Sequence, residues 1–186
     1  MPQNSNVRLR TVERTDAAAI AVIYNHYVNN STITFEENVV EAEEMAGRIG
    51  DVLSRHLPWY LAVEQDVTVG YAYATPWRSR SAYRFAVEVT VYVAQGHTGK
   101  GIGTLLYAAL LDIVRKDGFH TAIAGIALPN AQSVALHERL GFEKVAHFKQ
   151  VGFKMDHWID VGYWQRILDT CAQDLQSDQT PQVGLR

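Results

Sequence analysis

Cysteine is almost absent from this chain. Cys171 is the only one in 186 residues, which excludes an internal disulfide and a cysteine-built metal cluster. A long apolar run is missing too, so no membrane span is expected. The first ten residues, Met1–Arg10, carry no apolar stretch of the kind a secretory signal needs. Strong charge of either sign is also lacking. The net charge of −3 gives no electrostatic footprint for a nucleic acid or another polyanion. Together these absences predict a cytoplasmic protein with neither membrane nor nucleic-acid partner.

Apolar residues make up 47% and charged residues 20%, the balance of a soluble globular chain. The length suits one domain with a full core. One domain over 1–168 is expected, followed by a polar tail over 169–186 that includes Cys171. No repeat or linker divides the chain.

Hydrophobic periodicity alternates between strand and helix. Val7–Arg10 reads as a short strand. A helix capped at Thr15 or Asp16 runs to about Asn29, and another covers Glu41–Arg55. Trp59–Glu64 and Thr68–Ala74 read as a hairpin turning at Gln65-Asp66. Phe85–Ala94 is the longest strand. Ile102–Lys116 repeats apolar residues at helical spacing and stops at Gly118. Thr121–Leu128 is an apolar strand, and a helix follows from Asn130 or Ala131 to Leu140. Phe142–Phe148 and Lys154–Ile167 are predicted as paired strands joined near Gly152. This order gives an α/β domain with a mixed sheet.

The most informative segment joins the long strand to the best helix: Val91-Tyr92-Val93-Ala94-Gln95-Gly96-His97-Thr98-Gly99-Lys100-Gly101-Ile102-Gly103. Glycines let backbone approach a ligand closely. The helix that follows has unpaired N–H groups in its first turn and the positive end of its dipole behind them. Loop and helix make an anion site suited to a diphosphate. A glycine-rich turn with no ligand is the alternative.

The order of elements resembles the GNAT acyltransferase fold, with this loop as its acetyl-CoA diphosphate loop. Further segments are similar to the phosphinothricin and methionine sulfoximine N-acetyltransferase family. They are Asn25-His26-Tyr27, Thr34-Phe35, Pro76-Trp77, Thr90-Val91-Tyr92-Val93, Leu128-Pro129-Asn130, His137-Glu138, Gly152-Phe153-Lys154, Asp160-Val161-Gly162 and Trp164-Gln165. The resemblance spans about residues 7–168. It implies a mixed, mostly antiparallel sheet flanked by helices, acetyl-CoA as co-substrate and a homodimer. It also implies cofactor contacts from Val91, Tyr92, Val93, Thr98, Gly99, Lys100, Gly101, Ile102, Gly103, Asn130 and Ser133. One departure stands out: the family loop has Gln or Arg where this chain has Thr98. The backbone cradle remains, and a side-chain contribution to phosphate binding is lost.

Acetyl transfer to an amine needs a base for the ammonium, a donor for the charge on the thioester oxygen, and a proton for the leaving thiolate. Strand alternation puts Glu88 on one face with Thr90 and Tyr92. A glutamate in an apolar strand has a raised pKa when buried, so Glu88 is the candidate base. The alternative is a solvent-facing or Arg-paired glutamate. His137, four residues before Gly141-Phe142, is the candidate to assist the thiolate or Glu88, against a plain packing role. His26 is expected to line the substrate end or to pack its helix. A backbone N–H near Val91 is the expected oxyanion donor. The histidines show no metal-ligand spacing, so no metal is expected.

Trp77-Arg78-Ser79-Arg80-Ser81-Ala82-Tyr83-Arg84 mixes arginines with aromatics. Arginine grips carboxylate or phosphinate through paired bonds. Arg78 and Arg80 are the anion candidates, and Lys149 and Lys154 are further ones. Phe35, Trp77, Tyr83, Thr90 and Tyr92 form the expected pocket walls. Solvated loop charges are the alternative, and single-stranded RNA is disfavoured by the acidic chain. The function expected is acetylation of the α-amino group of a small amino acid such as phosphinothricin or methionine sulfoximine. Other acceptors on the same fold are a polyamine or a protein amine. A non-catalytic acetyl-CoA sensor is the reading from another class.

Overall fold

The computed structural model describes residues 7–168. The predicted tail and Cys171 lie outside the described residues. The strands are β1 (Val7–Thr11), β2 (Trp59–Glu64), β3 (Val67–Pro76), β4 (Ala86–Val93), β5 (Thr121–Leu128), β6 (Glu143–Lys154) and β7 (His157–Ile167). The helices are α1 (Ala17–Asn30), α2 (Ala42–Ser54), α3 (Ile102–Lys116) and α4 (Ala131–Arg139).

One seven-stranded sheet runs β1-β2-β3-β4-β5-β7-β6. Every neighbouring pair is antiparallel except β4 and β5. This is the mixed, mostly antiparallel sheet expected from the sequence. A parallel pair needs a crossover, and α3 supplies it.

The two faces of the sheet are sorted by side-chain size. A Cβ at Gly70 would sit 3.2 Å from Leu106 Cδ1 and 3.4 Å from Ile102 Cγ2, so glycine there lets α3 lie close on one face. Tyr92 projects from the other face, where Tyr24 and Tyr27 of α1 meet its ring at centroid distances of 5.3 and 5.2 Å. Leu61, Ala72, Val87, Leu106, Leu110 and Val114 are fully buried between these layers.

The C-terminal hairpin departs from the expected pairing. β6 runs on to Lys154, and the turn falls at Met155-Asp156, both with positive φ (53° and 60°). That is the handedness a two-residue hairpin favours. Glycine is absent from the turn, which hid it in the sequence. Gly152 instead follows a register shift between Phe148 and Gly152. The Asp160 carboxylate closes that irregularity, accepting from the Gln150 N–H at 2.8 Å and meeting His147 Nε2 at 2.6 Å.

Candidate active site

The site begins with a gap between parallel strands. β3 pairs with β4 from Gly70↔Val93 to Pro76↔Val87, whereas β5 pairs with β4 only at Ala86, Val87 and Glu88. Bonds at the two ends of the β3–β4 ladder set its phase: Ala94 N donates to Val69 O at 2.9 Å and Trp77 N to Ala86 O at 3.2 Å. Antiparallel pairing alternates. Even-numbered β4 residues therefore bond to β3, and Val89, Val91 and Val93 turn their amides and carbonyls toward β5. Past Glu88 those groups face the gap. The Val93 carbonyl accepts from the Tyr27 hydroxyl at 2.5 Å, and the Val89 carbonyl lies 3.2 Å from the Tyr107 hydroxyl. The Val91 N–H points into the same gap.

The gap opens into a cleft of about 410 Å³ between the glycine loop and α4. Gly101 is the N-cap of α3 with φ 84° and ψ −3°, the left-handed region that side chains resist. A Cβ at Gly99 or Gly101 would meet nothing within 4 Å. The backbone of the loop is thus open to a ligand, with the first N–H groups of α3 beside it. Of the expected cofactor contacts, Val91, Tyr92, Val93, Thr98, Gly99, Gly101, Gly103, Asn130 and Ser133 line this cleft. Two do not. The Ile102 side chain turns inward under α3 at 3% exposure, and Lys100 projects to solvent outside the lining. Asn130 caps α4 by accepting from Ser133 N at 3.1 Å.

Tyr27, His97, Leu136 and Arg139 also line the cleft and were not singled out for it in the sequence. Arg139 lies on the last turn of α4, and His97 on the opposite lip stands 3.3 Å from Glu64. Arg139 belongs to no recognisable run, and His97 sits within the glycine loop with nothing to mark it there. Only the fold brings them together.

Glu88 lies on the Tyr92 face of β4, half-buried. Its Oε1 is 3.5 Å from where a Cβ would stand at Gly125, so the neighbouring strand makes room for the carboxylate. Burial raises its pKa above the ordinary value, and the Arg78 guanidinium opposes that rise. Arg78 stacks 4.6 Å from the Trp77 ring centre. Trp77 meets Tyr163 edge-on at 5.5 Å, and Tyr163 meets Phe148 at 5.7 Å. Glu88, Arg78, Trp77 and Tyr163 thus share one corner of the sheet. Thr90 stands opposite Tyr73 on β3, whose burial pushes its pKa up to about 12.

The remaining acceptor-side residues divide. Arg80 and Tyr83 are exposed, Arg80 just before and Tyr83 at the end of a short 3-10 turn over Ser81–Tyr83. Phe35 lies against β6, where a Cβ at Gly152 would fall 2.3 Å from its ring. His26 packs edge-on to Tyr27 at 5.3 Å. Lys149 is exposed, whereas Lys154 is buried and turned inward.

His137 sits behind the cleft. It is 3% exposed and packs edge-on to Tyr107 and Phe142. Its Nδ1 is 2.7 Å from the Ser133 carbonyl, and its Nε2 is 3.0 Å from the Tyr107 hydroxyl. A carbonyl only accepts, so Nδ1 carries the proton. Burial lowers the pKa of the ring, so Nε2 is an acceptor at neutral pH. Both ring nitrogens thus have protein partners, and His137 reaches the cleft through the Tyr107 hydroxyl. The ring orients that hydroxyl.

Among the described residues no group of three or more His, Cys, Asp or Glu is placed to hold a metal. No helix among them is long and apolar enough to cross a membrane.

Comparison with known proteins agrees with this architecture. Residues 9–162 match the family model described as acetyltransferase (GNAT) domain. A phosphinothricin N-acetyltransferase of Streptomyces viridochromogenes is 39% identical over 171 residues, 92% of this chain and 93% of the relative. The L-methionine sulfoximine/L-methionine sulfone acetyltransferase of Salmonella typhimurium is 37% identical over 88% of this chain and 96% of its own. A GNAT superfamily phosphinothricin acetyltransferase from Sinorhizobium meliloti, solved in complex with AcCoA, superposes with a TM-score of 0.86. It is 34% identical over 96% of this chain and 95% of its own. The splayed β4–β5 pair, the glycine loop at the start of α3 and a family match across most of the chain lead to one conclusion: this chain belongs to the GNAT family of acetyltransferases.

Proposed function

We propose that this protein transfers the acetyl group of acetyl-CoA to the α-amino group of a small anionic amino acid of the phosphinothricin and methionine sulfoximine type. The observation that carries the reading is the corner where a half-buried Glu88 lies in the field of the Arg78 charge, at the foot of the β4–β5 gap. A base and an anion-binding cation side by side suit an α-amino acid that bears both an ammonium and an acidic group.

The residues present fit acetyl-CoA. The loop through Gly99 and Gly101 and the start of α3 suit the diphosphate. The amides of Val91 and Val93, facing the gap, suit the pantetheine arm and the thioester oxygen. When bound, acetyl-CoA would supply an activated acyl group, and its thiolate would leave as the thiol by taking up the second proton that the nitrogen sheds on becoming an amide. Glu88 accepts the proton that the ammonium must lose, so that the neutral nitrogen forms the new amide bond as the carbon–sulfur bond breaks. The Val91 N–H donates to the oxygen that gains negative charge. Tyr107 donates to His137 and stands beside the Val89 carbonyl below that point.

We also read the chain as a homodimer. Phe148, Val151, Phe153 and Trp158 stand 51–63% exposed on the β6–β7 edge of the sheet, and Phe148 abuts Tyr163 of the Glu88 corner. An exposed apolar edge of this kind calls for a partner, and a second copy is the one proposed. Trp158→Glu is expected to sediment as a monomer where the parent sediments as a dimer. A monomeric parent would refute the dimer.

The function is tested by thiol release from acetyl-CoA across phosphinothricin, methionine sulfoximine, the common amino acids, spermidine and a lysine peptide. Saturable release with the first two is expected. Release only with spermidine or the peptide would keep the acetyltransferase and overturn the acceptor.

A further inference from the structure

Lys154 is 3% exposed, and the chemistry above does not use it. Lysine is rarely buried without a partner. Its Nζ donates to the backbone carbonyl of Thr34 at 2.9 Å, across 120 residues of sequence. Glu36 and Glu37 are the charges that face it and support its protonation against the effect of burial. Glu36 is itself held by Arg48 at 2.7 Å. An ammonium inside the fold, bonded to a loop carbonyl, is a tether.

The tether has two points. Gly152 and Lys154 are two apart on β6 and so share a face, and both are buried. Lys154 holds Thr34, and the backbone at Gly152 receives the Phe35 ring so closely that a Cβ would fall 2.3 Å from it. Thr34 is secured from the other side as well. Its Oγ1 lies 2.7 Å from the Tyr24 hydroxyl and accepts from the Glu36 N–H at 3.3 Å. Tyr24 meets Tyr92 edge-on at 5.3 Å, and Tyr92 lines the cofactor cleft. The Thr34-Phe35 segment is thereby strung between the end of β6 and the aromatic layer beneath the cleft.

We propose that Lys154 is a positioning residue that clamps the Thr34-Phe35 segment and so sets the acceptor-side wall that Phe35 provides. This rests on the reading of Phe35 as a wall of the acceptor pocket. On the cofactor side Tyr92 is also braced by Tyr27 and Tyr71, and of residues 33–37 only Ile33 lines the cleft. The clamp therefore acts on the acceptor more than on acetyl-CoA.

Lys154→Met keeps most of the buried stem and removes the donor. Two readouts on the full chain test it. Amide hydrogen exchange over residues 34–37 is expected to speed up, with the Glu36 N–H among those released. The KM for phosphinothricin is expected to rise at least about tenfold, the loss of one well-made bond, while the KM for acetyl-CoA stays within about twofold. Unchanged exchange would overturn the clamp. Faster exchange with an unchanged acceptor KM, or equal rises in both KM values, would overturn the specificity role. If the parent acetylates no amine tested, the acceptor reading fails and exchange alone decides the clamp. Should Lys154→Met not fold, Lys154→Gln, one atom short of the carbonyl but still polar, takes its place with the same expectations.

Discussion

Glu88→Gln is expected to lower kcat by about two to four orders of magnitude, the range of a positioned general base, and to leave acetyl-CoA binding unchanged. The substitution is nearly isosteric, and the space opposite Gly125 accommodates either side chain. The pH profile makes the test sharper. Burial raises the Glu88 pKa above the ordinary 4.5, and Arg78 only partly opposes this. The carboxylate form is the active one, so kcat/KM should fall as pH drops through that raised value. The inflection should lie above the range of an exposed glutamate. In the Gln variant the residual rate should lack that acid limb. His137→Phe is the contrasting variant: it removes the acceptor for the Tyr107 hydroxyl and should lower kcat while keeping the limb. A limb that survives in Glu88→Gln would place the base elsewhere.

The same corner shows why the sequence led so directly to Glu88. β4 alternates without a register shift along β3, so counting by two puts Glu88, Thr90 and Tyr92 on one face. The glycine loop was legible for a similar reason: its function depends on backbone, and glycine announces backbone. Gln65-Asp66 was readable as a turn because polar residues sit between two apolar runs. Met155-Asp156 adopts the same positive φ with no such contrast around it, and Gly152 drew the eye instead.

What stayed hidden depended on partners distant in sequence. His137 is four residues from the Gly141-Phe142 pair, a position that suggests catalysis. Its environment is set by Tyr107, 30 residues earlier, whose hydroxyl meets the ring at Nε2. Lys154 looked like a surface anion contact until the pairing of β6 with β7 fixed which face it shares with Gly152. Arg139 was unremarkable as a helix-end arginine, yet the packing of α4 beside the loop places it on the lip of the cleft. Periodicity gives the face a residue occupies. Only the assembled sheet gives what stands opposite.

The second large effect is expected at the loop. Gly101→Val should weaken acetyl-CoA binding by about tenfold or more for each phosphate bond lost, measured as Kd by calorimetry. Two costs enter, and they can be separated. The first is backbone strain: φ is 84° at this N-cap, and a β-branched residue held there costs about 1–3 kcal/mol, a fall in Tm of about 2–12 °C for a chain of this size. The second is steric. The space beside Gly101 is open on the cleft side, so valine would occupy the approach of a diphosphate to the loop amides. Gly118 provides the control. It lies just past the other end of α3 with φ 83° and nothing within 4 Å of a Cβ, and it does not line the cleft. Gly118→Val should therefore show a comparable fall in Tm with an unaltered Kd. If both variants lost stability and neither lost affinity, the loop would not be the diphosphate site, and the cofactor would have to be held by the β4 edge and α4 alone.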